Sequence, residues 1–149
     1  MYRKILVPLD GSELAECVLP HVEAISRGCS IGKVVLLEIV EPPPAWAIEG
    51  VDPVALQGAN EKAAKEYLSK IQSQLASDGF NVSAEVLMGK AAETIIEFAK
   101  RNAVDLIAIA THGRSGIGRW VFGSVADRIL RSSHVPILMI RPAEHKSGS

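Results

Sequence analysis

The chain has few of the features that would place it in a specialised class. It contains two cysteines, Cys17 and Cys29, in 149 residues. Two cysteines twelve residues apart suit neither a disulfide framework nor a four-ligand zinc site, so we expect buried or half-buried free thiols. No apolar run approaches the roughly 18 residues that a membrane-spanning helix needs. The sequence therefore predicts no membrane span.

An excess of charge of one sign is also missing. Sixteen Lys and Arg stand against seventeen Asp and Glu, which leaves a net charge of -1 at pH 7. A chain without a positive excess has no global field to hold nucleic acid or an anionic membrane, and we expect it to bind neither. The N-terminal apolar run, residues 5–9, is too short for a signal-peptide core. These absences predict a cytoplasmic protein.

The composition that remains is that of an ordinary globular domain. Hydrophobic residues make up 48% of the chain and charged residues 22%, which is far from disordered or fibrous compositions. A chain of 149 residues has the size of one domain with one substantial core. We predict one domain over residues 1–142 and a flexible tail over residues 143–149, where no apolar periodicity is present.

Five segments have the pattern of β-strands. Four of them are nearly continuous runs of Val, Ile, Leu and Ala, as strands covered on both faces of a parallel sheet require. The third segment alternates in its first half, which predicts an edge strand. The five segments are Lys4–Leu9, Lys33–Val40, Asn81–Met88, Val104–Ala110 and Val135–Ile140.

Between these segments the apolar residues recur at helical spacing. Every gap is long enough for a helical crossover, so the sheet can be parallel throughout. We predict an α/β fold with an open five-stranded parallel sheet, strand order 3-2-1-4-5, and helices on both faces. The helical stripes are Leu14, Val18, Leu19, Val22 and Ile25; Leu56, Ala59, Ala63, Tyr67, Leu68, Ile71 and Leu75; Ala92, Ile95, Ile96 and Ala99; and Phe122, Val125, Ala126, Ile129 and Leu130.

Ligands of such sheets bind beyond the carboxyl ends of the strands, where the strand order reverses. With the order 3-2-1-4-5, the loops after the first and fourth strands flank that crevice. The first loop begins at Asp10, and the second carries three glycines within residues 113–118. Glycines let a backbone approach a ligand closely, and N–H groups at a helix N-terminus attract phosphate. The second loop therefore predicts a phosphate cradle.

The same loops also admit simpler interpretations. Ser124 and Asp127 have the spacing of a capping box, in which case the glycines form only a turn. Asp10 equally fits an Asx turn before a helix.

Two standard phosphate-binding motifs are excluded. A P-loop needs lysine after Gly118, where arginine stands, and the glycine order differs from the Rossmann fingerprint.

Two stretches resemble the universal stress protein family. The pattern Ala110-Thr-His-Gly113, nine residues, then Gly123-Ser124 is similar to that family's nucleotide-binding signature, Gly-x2-Gly-x9-Gly-Ser/Thr. Residues 7–12, Val-Pro-Leu-Asp-Gly-Ser, are similar to the family's first strand and loop. The similarity extends over residues 5–141 and departs from the signature at Ala110, where the family has glycine.

The resemblance implies a Rossmann-like fold of the adenine nucleotide alpha hydrolase type. A protein of this type would bind ATP, or ADP or AMP, with Mg²⁺ accompanying the phosphates, and would act as a sensor or regulator in stress adaptation. The residues themselves offer little for catalysis, because no Lys or second acidic residue lies at a spacing that would place a base or hold phosphates. We predict no catalytic residue and no metal-ligating set.

The resemblance also assigns contacts by position. Residues 8–10 would contact base and ribose, the backbone of Ile39 would meet the adenine edge, and residues 109–110 would line the nucleoside. The glycine signature would hold the phosphates through backbone N–H groups and the Ser124 hydroxyl, with His112 and Arg114 beside them. The predicted set is Pro8, Leu9, Asp10, Ile39, Ile109, Ala110, His112, Gly113, Arg114, Gly123, Ser124 and Val125.

The last strand predicts an assembly. Residues 135–140 form an apolar edge with no charge to block pairing, and Pro136 near its start is tolerated at an edge. A two-fold homodimer through this strand is the simplest closed arrangement, and the resemblance points the same way.

Two other functions remain open: a slow metal-dependent ATPase or phosphotransfer enzyme, and a dimeric adaptor that binds an unidentified protein partner without nucleotide.

Overall fold

A computed structural model of the protein describes residues 2–112 and 123–142. The predicted tail, residues 143–149, lies outside this part. The described residues form five strands in one parallel sheet with the order β3-β2-β1-β4-β5. The predicted strand order and the edge position of the third segment are confirmed. The strands are β1, Lys4–Leu9; β2, Lys33–Val40; β3, Val82–Met88; β4, Leu106–Ala110; and β5, Ile137–Ile140.

Three strands begin later than the predicted segments: β3 by one residue, and β4 and β5 by two residues each. The N–H of Val104 donates to Ala99 O at 3.1 Å, so this residue belongs to the turn that ends the preceding helix. At β5, the N–H of Val135 donates to Ser133 Oγ at 3.0 Å. Pro136 follows and has no N–H to donate. Local hydrogen bonding therefore takes up residues that apolarity alone assigned to the sheet.

The first predicted helix is two helices. The apolar stripe passes over Pro20, which has no N–H for the carbonyl of Glu16 and whose ring would clash with it. The helix that begins at Glu13 ends at Glu16, and a second begins at Leu19. The helices are α1, Glu13–Glu16; α2, Leu19–Cys29; α3, Pro53–Ser77; α4, Ala91–Arg101; and α5, Ser124–Ser132, with a short 3-10 turn at Ala45–Ala47.

Helices cover both faces of the sheet, as predicted. Along β1, Ile5 and Val7 join a core with α1, α2 and α3, whereas Leu6 joins a core with α4 and α5. This alternation is the period of two that places successive side chains on opposite faces of a strand. None of the helices within the described residues is long and apolar enough to cross a bilayer.

Some predicted burial is wrong. Ala59 and Ala63 of α3 are exposed; the buried residues of that helix begin at Ala64. Leu130 is half exposed on α5, and Phe122 of the same stripe lies outside the described residues. Of the two cysteines, Cys17 is half-buried as predicted, whereas the one that ends α2 is exposed.

Candidate functional site

A cavity of about 360 Å³ lies at the carboxyl ends of the central strands. It spans β2, β1 and β4 and reaches the first turn of α5, which is the place where the strand order reverses. Gly113 and Arg114 of the predicted set lie outside the described residues. The other predicted residues all line the cavity: Pro8, Leu9, Asp10, Ile39, Ile109, Ala110, His112, Gly123, Ser124 and Val125.

Six further residues line the cavity and were missed by the sequence reasoning. Two of them come from α4, because this helix crosses back over the sheet and brings its first turn beside β2. Thr111 stands inside the quoted signature pattern, and its position there was the one feature of the sequence that could have identified any of the six residues. The six are Ala15, Leu37, Ala91, Ile95, Thr111 and Ala126.

The two ends of the cavity differ in chemistry. Leu37, Ile39 and Ile95 form an apolar wall at the β2 end. At the β4 end, His112 and the first turn of α5 supply polar groups. A cavity with apolar walls and a few converging polar groups is typical of small-molecule sites. The arrangement suits a ligand with a flat apolar part and a polar or charged end.

Asp10 forms the turn that the simpler interpretation predicted, and it also stands at the cavity wall. Its Oδ1 accepts hydrogen bonds from Ser12 N at 2.9 Å and from Ser12 Oγ at 2.5 Å. The Ser12 hydroxyl in turn accepts from Ala15 N at 3.2 Å and caps α1. The Asx turn therefore holds the carboxylate and the first residues of α1 at the edge of the cavity.

The helices that begin at this edge differ in how their N-termini are satisfied. Asp52 accepts from Val54 N at 3.0 Å at the start of α3. At the start of α4, Glu41 Oε1 accepts from Ala91 N at 2.9 Å. For α5, the cap residue is Gly123, which has no side chain and so makes no such bond itself. The first-turn N–H groups of α5 have no acceptor within the helix, and they belong to residues that line the cavity.

The capping box, the simpler interpretation of Ser124 and Asp127, does not form. The cap position is occupied by Gly123, one residue before Ser124, and no side-chain hydrogen bond forms there. The N–H of Asp127 instead donates to Gly123 O at 3.0 Å, as the first bond of the helix. The Asp127 carboxylate pairs with Arg131 at 3.1 Å. The pair that the sequence suggested therefore does not cap the N-terminus of α5.

Gly123 is a point of close backbone approach. Its N–H donates to Thr111 O at 2.8 Å, and a Cβ atom at this position would lie 3.0 Å from the same oxygen. The glycine therefore brings the start of α5 against the end of β4. Because its N–H is engaged with Thr111, the first-turn donors that have no acceptor in their helix begin at Ser124.

A second cavity, of about 520 Å³, adjoins the first on the α3 side and shares Asp10 and Ile39 with it. Its lining includes three acidic residues, Asp10, Glu38 and Glu41. The Tyr67 hydroxyl donates to Glu16 Oε2 at 3.0 Å, and Tyr67 is also part of this lining. Burial raises the pKa of Tyr67 well above its usual range, and the hydrogen bond and negative charge of Glu16 add to the shift. An anionic group is therefore disfavoured on this side and favoured at α5.

Among residues 2–112 and 123–142, no three His, Cys, Asp or Glu side chains are grouped so that they could hold a metal ion. The fold and the cavity together define a class: a Rossmann-like α/β protein with a cavity at the carboxyl edge of its sheet. Within that class, sequence similarity identifies the family. The model of the universal stress protein family matches residues 1–141, and the chain belongs to that family.

Relatives match the chain over nearly its whole length. Universal stress protein MJ0531 of Methanocaldococcus jannaschii is 29% identical over 143 residues, which cover 95% of this chain and 83% of the relative. The solved structure of MJ0577, from the same organism, has a TM-score of 0.86 at 29% identity and covers 97% of this chain and 99% of that one.

A more distant solved structure contains a nucleotide. It is a universal stress protein family member from Arabidopsis thaliana with AMP bound. It has a TM-score of 0.71 at 16% identity, with 98% of this chain and 95% of that chain covered. At this identity the likeness shows the shared fold.

Proposed function

We propose that this protein binds an adenine nucleotide, ATP or a close relative, in the cavity at the carboxyl edge, and that it acts as a stress-response sensor or regulator. One observation carries the proposal. The cavity runs from an apolar wall at β2 to the N-terminus of α5, where the cap residue Gly123 has no side chain to accept from the first-turn N–H groups, and every described residue of the predicted set lines it. The AMP-bound family member supports the choice of an adenine nucleotide.

The ligand has one favoured orientation in the cavity. The base lies against Ile39 and Ile95, because these side chains offer an apolar surface to a flat ring. The ribose lies beside Asp10, at β1, the middle strand of the three that line the cavity. The phosphates lie at Ser124 and Val125, because a helix N-terminus carries partial positive charge and N–H donors that anions bind. The acidic wall of the second cavity reinforces this direction by charge repulsion.

A magnesium ion fits this proposal only as a companion of the phosphates. Mg²⁺ commonly keeps several waters and binds through substrate phosphates with one or two carboxylates, and the described residues offer no cluster of three ligands for it. Binding with weak or no hydrolysis remains our prediction. His112, Gly113 and Arg114 remain predicted phosphate contacts.

The assembly and location that the sequence predicts belong to this proposal. Strand β5 is an edge of the sheet within the described residues, and Leu138 and Met139 on it are only half-buried in one chain. An apolar strand edge favours pairing with a second chain. A homodimer through residues 135–140 in the cytoplasm remains our prediction, as does a protein partner that reads the ligand state.

The first experiment is to denature fresh protein, chromatograph what it releases, and titrate the emptied protein with ATP and with GTP by calorimetry. Stoichiometric adenine nucleotide, or tight binding selective for ATP, is expected. Protein that releases no nucleotide and gives no heat would refute the proposal, and the adaptor function would replace it. Metal-dependent turnover would instead favour the phosphotransfer enzyme.

A substitution at α5 tests where the phosphates lie. Ser124→Asp places a carboxylate in the first turn of α5, where the helix dipole favours it by ~0.3–1 kcal/mol but a phosphate is repelled. Two unit charges about 4 Å apart interact with ~4 kcal/mol at an effective dielectric constant of 20, so ATP affinity should fall at least tenfold while adenosine affinity is kept. The matched control is Val54→Asp, which adds the same charge to the first turn of α3, where the side chain is exposed. Equal ATP affinity in both variants would contradict the phosphate position.

A further inference from the structure

Thr111 is one of two buried polar residues in the described part of the chain, and its N–H, its carbonyl and its hydroxyl each have a partner. Its N–H donates to Ile140 O at 2.8 Å, which ties the end of β4 to the end of β5. Its carbonyl accepts from Gly123 N at 2.8 Å, at the start of α5. The backbone on both sides of this side chain is therefore fixed at the polar end of the cavity.

The Thr111 hydroxyl meets the neighbouring imidazole. Its Oγ1 lies 2.9 Å from Nδ1 of His112. An imidazole anchored at Cβ and held at Nδ1 has its plane fixed, and the direction of Nε2 is fixed with it. His112 lines the cavity, and its Cα lies close to Gly123, 3.9 Å from the place of a Cβ there. His112 thus stands at the end of the cavity where α5 begins.

The direction of the Thr111–His112 hydrogen bond decides what the ring can offer a ligand. A neutral imidazole has one N–H donor and one acceptor nitrogen. If the threonine hydroxyl donates to Nδ1, the ring proton is on Nε2, and Nε2–H can donate to an anion. If Nδ1–H donates to the hydroxyl instead, a neutral ring presents the lone pair of Nε2, which a phosphate oxygen repels.

We propose that Thr111 is a positioning residue: its hydroxyl holds His112 in the Nε2–H form, so that the neutral imidazole donates to a phosphate of the ligand. The inference rests on the proposed nucleotide site and adds a residue to it. It differs from a packing function, because the side chain acts through a hydroxyl that the nearly isosteric valine lacks. Thr111→Val keeps the β-branched shape and both backbone bonds, and Thr111→Ser keeps the hydroxyl.

The tautomer is tested on the full chain without ligand. Long-range ¹⁵N–¹H correlation spectra at about pH 8.5, two units above the usual imidazole pKa, distinguish protonated from unprotonated ring nitrogens, and His112→Asn assigns the signals. The native protein and Thr111→Ser should show a proton on Nε2, and Thr111→Val should shift towards a mixture of both forms. A proton on Nδ1 in the native protein, or an unchanged tautomer in Thr111→Val, would overturn the inference.

The effect on binding is tested by calorimetry with ATP and with adenosine. Loss of one oriented hydrogen bond to a charged group predicts an ATP affinity about tenfold lower in Thr111→Val, an adenosine affinity within about twofold of the native value, and recovery in Thr111→Ser. An equal loss for both ligands would indicate a packing defect and overturn the inference. If the native protein binds no ATP, the proposed function fails, and the spectra still decide whether Thr111 sets the tautomer.

Discussion

Gly123→Ala tests the close contact between β4 and α5. The new Cβ would lie 3.0 Å from the Thr111 carbonyl oxygen, whereas ordinary contacts of this kind begin at 3.4 Å. The two segments must therefore separate by 0.4 Å, the difference between these distances. The atom in the way is backbone, already held by Gly123 N at 2.8 Å and by the pairing of β4 with β5, so it cannot turn aside as a flexible side chain would.

The expected loss of stability follows from two opposing effects. Overpacking of this kind costs about 1–3 kcal/mol, and replacing glycine with alanine returns ~0.4–1 kcal/mol by restricting the unfolded chain. The φ of -54° at Gly123 is one that alanine adopts without strain. The extremes of these two ranges give a net loss between about 0 and 2.6 kcal/mol. The midpoints give about 1.3 kcal/mol, or roughly 3–5 °C in Tm for a chain of this size.

The matched control is Gly58→Ala. Gly58 lies inside α3, and a Cβ there would meet no atom within 4 Å. Alanine at an interior helix position without a clash should gain about 0.5–1 kcal/mol and leave ligand binding unchanged. Urea unfolding and calorimetry with ATP measure both properties in the two variants.

In Gly123→Ala the start of α5 moves away from the end of β4, so we expect weaker ATP binding together with the lower stability. The result that would refute the reasoning is a Gly123→Ala protein that matches Gly58→Ala in stability and the native protein in ATP affinity. The contact with Thr111 would then impose no constraint, and the glycine would have no structural function at that position.

Two further predictions concern pH. Hydrogen bonds from the backbone N–H groups of Lys4 and Arg3 lower the pKa of Asp105 below its usual 3.8. The contribution of Asp105 to folding stability is therefore present above pH 3.8 and is lost as the pH falls through the lowered pKa. Acid unfolding should show Asp105→Asn less stable than the native protein at pH 6, with the difference disappearing in acid, and Asp78→Asn is the control for the lost charge. Burial and Glu16 raise the pKa of Tyr67 above its usual 10.0. The unfolded chain therefore releases the Tyr67 proton at a lower pH than the folded chain, and folding stability should fall as the pH rises above 10.0. Urea unfolding should show a smaller loss of stability with rising pH in Tyr67→Phe, and an equal loss in both proteins would contradict the raised pKa.

Much of the fold was predictable because its signals are local. The apolar runs at Lys4–Leu9 and Lys33–Val40 match β1 and β2 at both ends. The alternation after Asn81 correctly marked an edge strand. Such patterns report whether one face or both faces of a strand are covered, and that information is carried by neighbouring residues.

The boundaries that failed have one physical cause. Pro20 divides the first helix, and Ser133 takes up the N–H of Val135 before β5 begins. At Pro20 a helical hydrogen bond cannot form, and at Val135 a local hydrogen bond forms in place of a sheet bond. In both cases the element ends or begins at that hydrogen-bonding change, although the apolar pattern continues past it. A stripe of hydrophobic residues records burial, and it does not record which backbone donors are satisfied.

For the candidate site, the sequence by itself determined which loops to examine, because strand order and the glycine pattern direct attention to the ends of β1 and β4. Only the tertiary structure decided that Ile95 of α4 joins the cavity and that Gly123 lies against Thr111. The reason is that these contacts join residues far apart in the chain or across a segment of the signature. Such distances depend on how helices and strands pack in three dimensions, which no local pattern encodes.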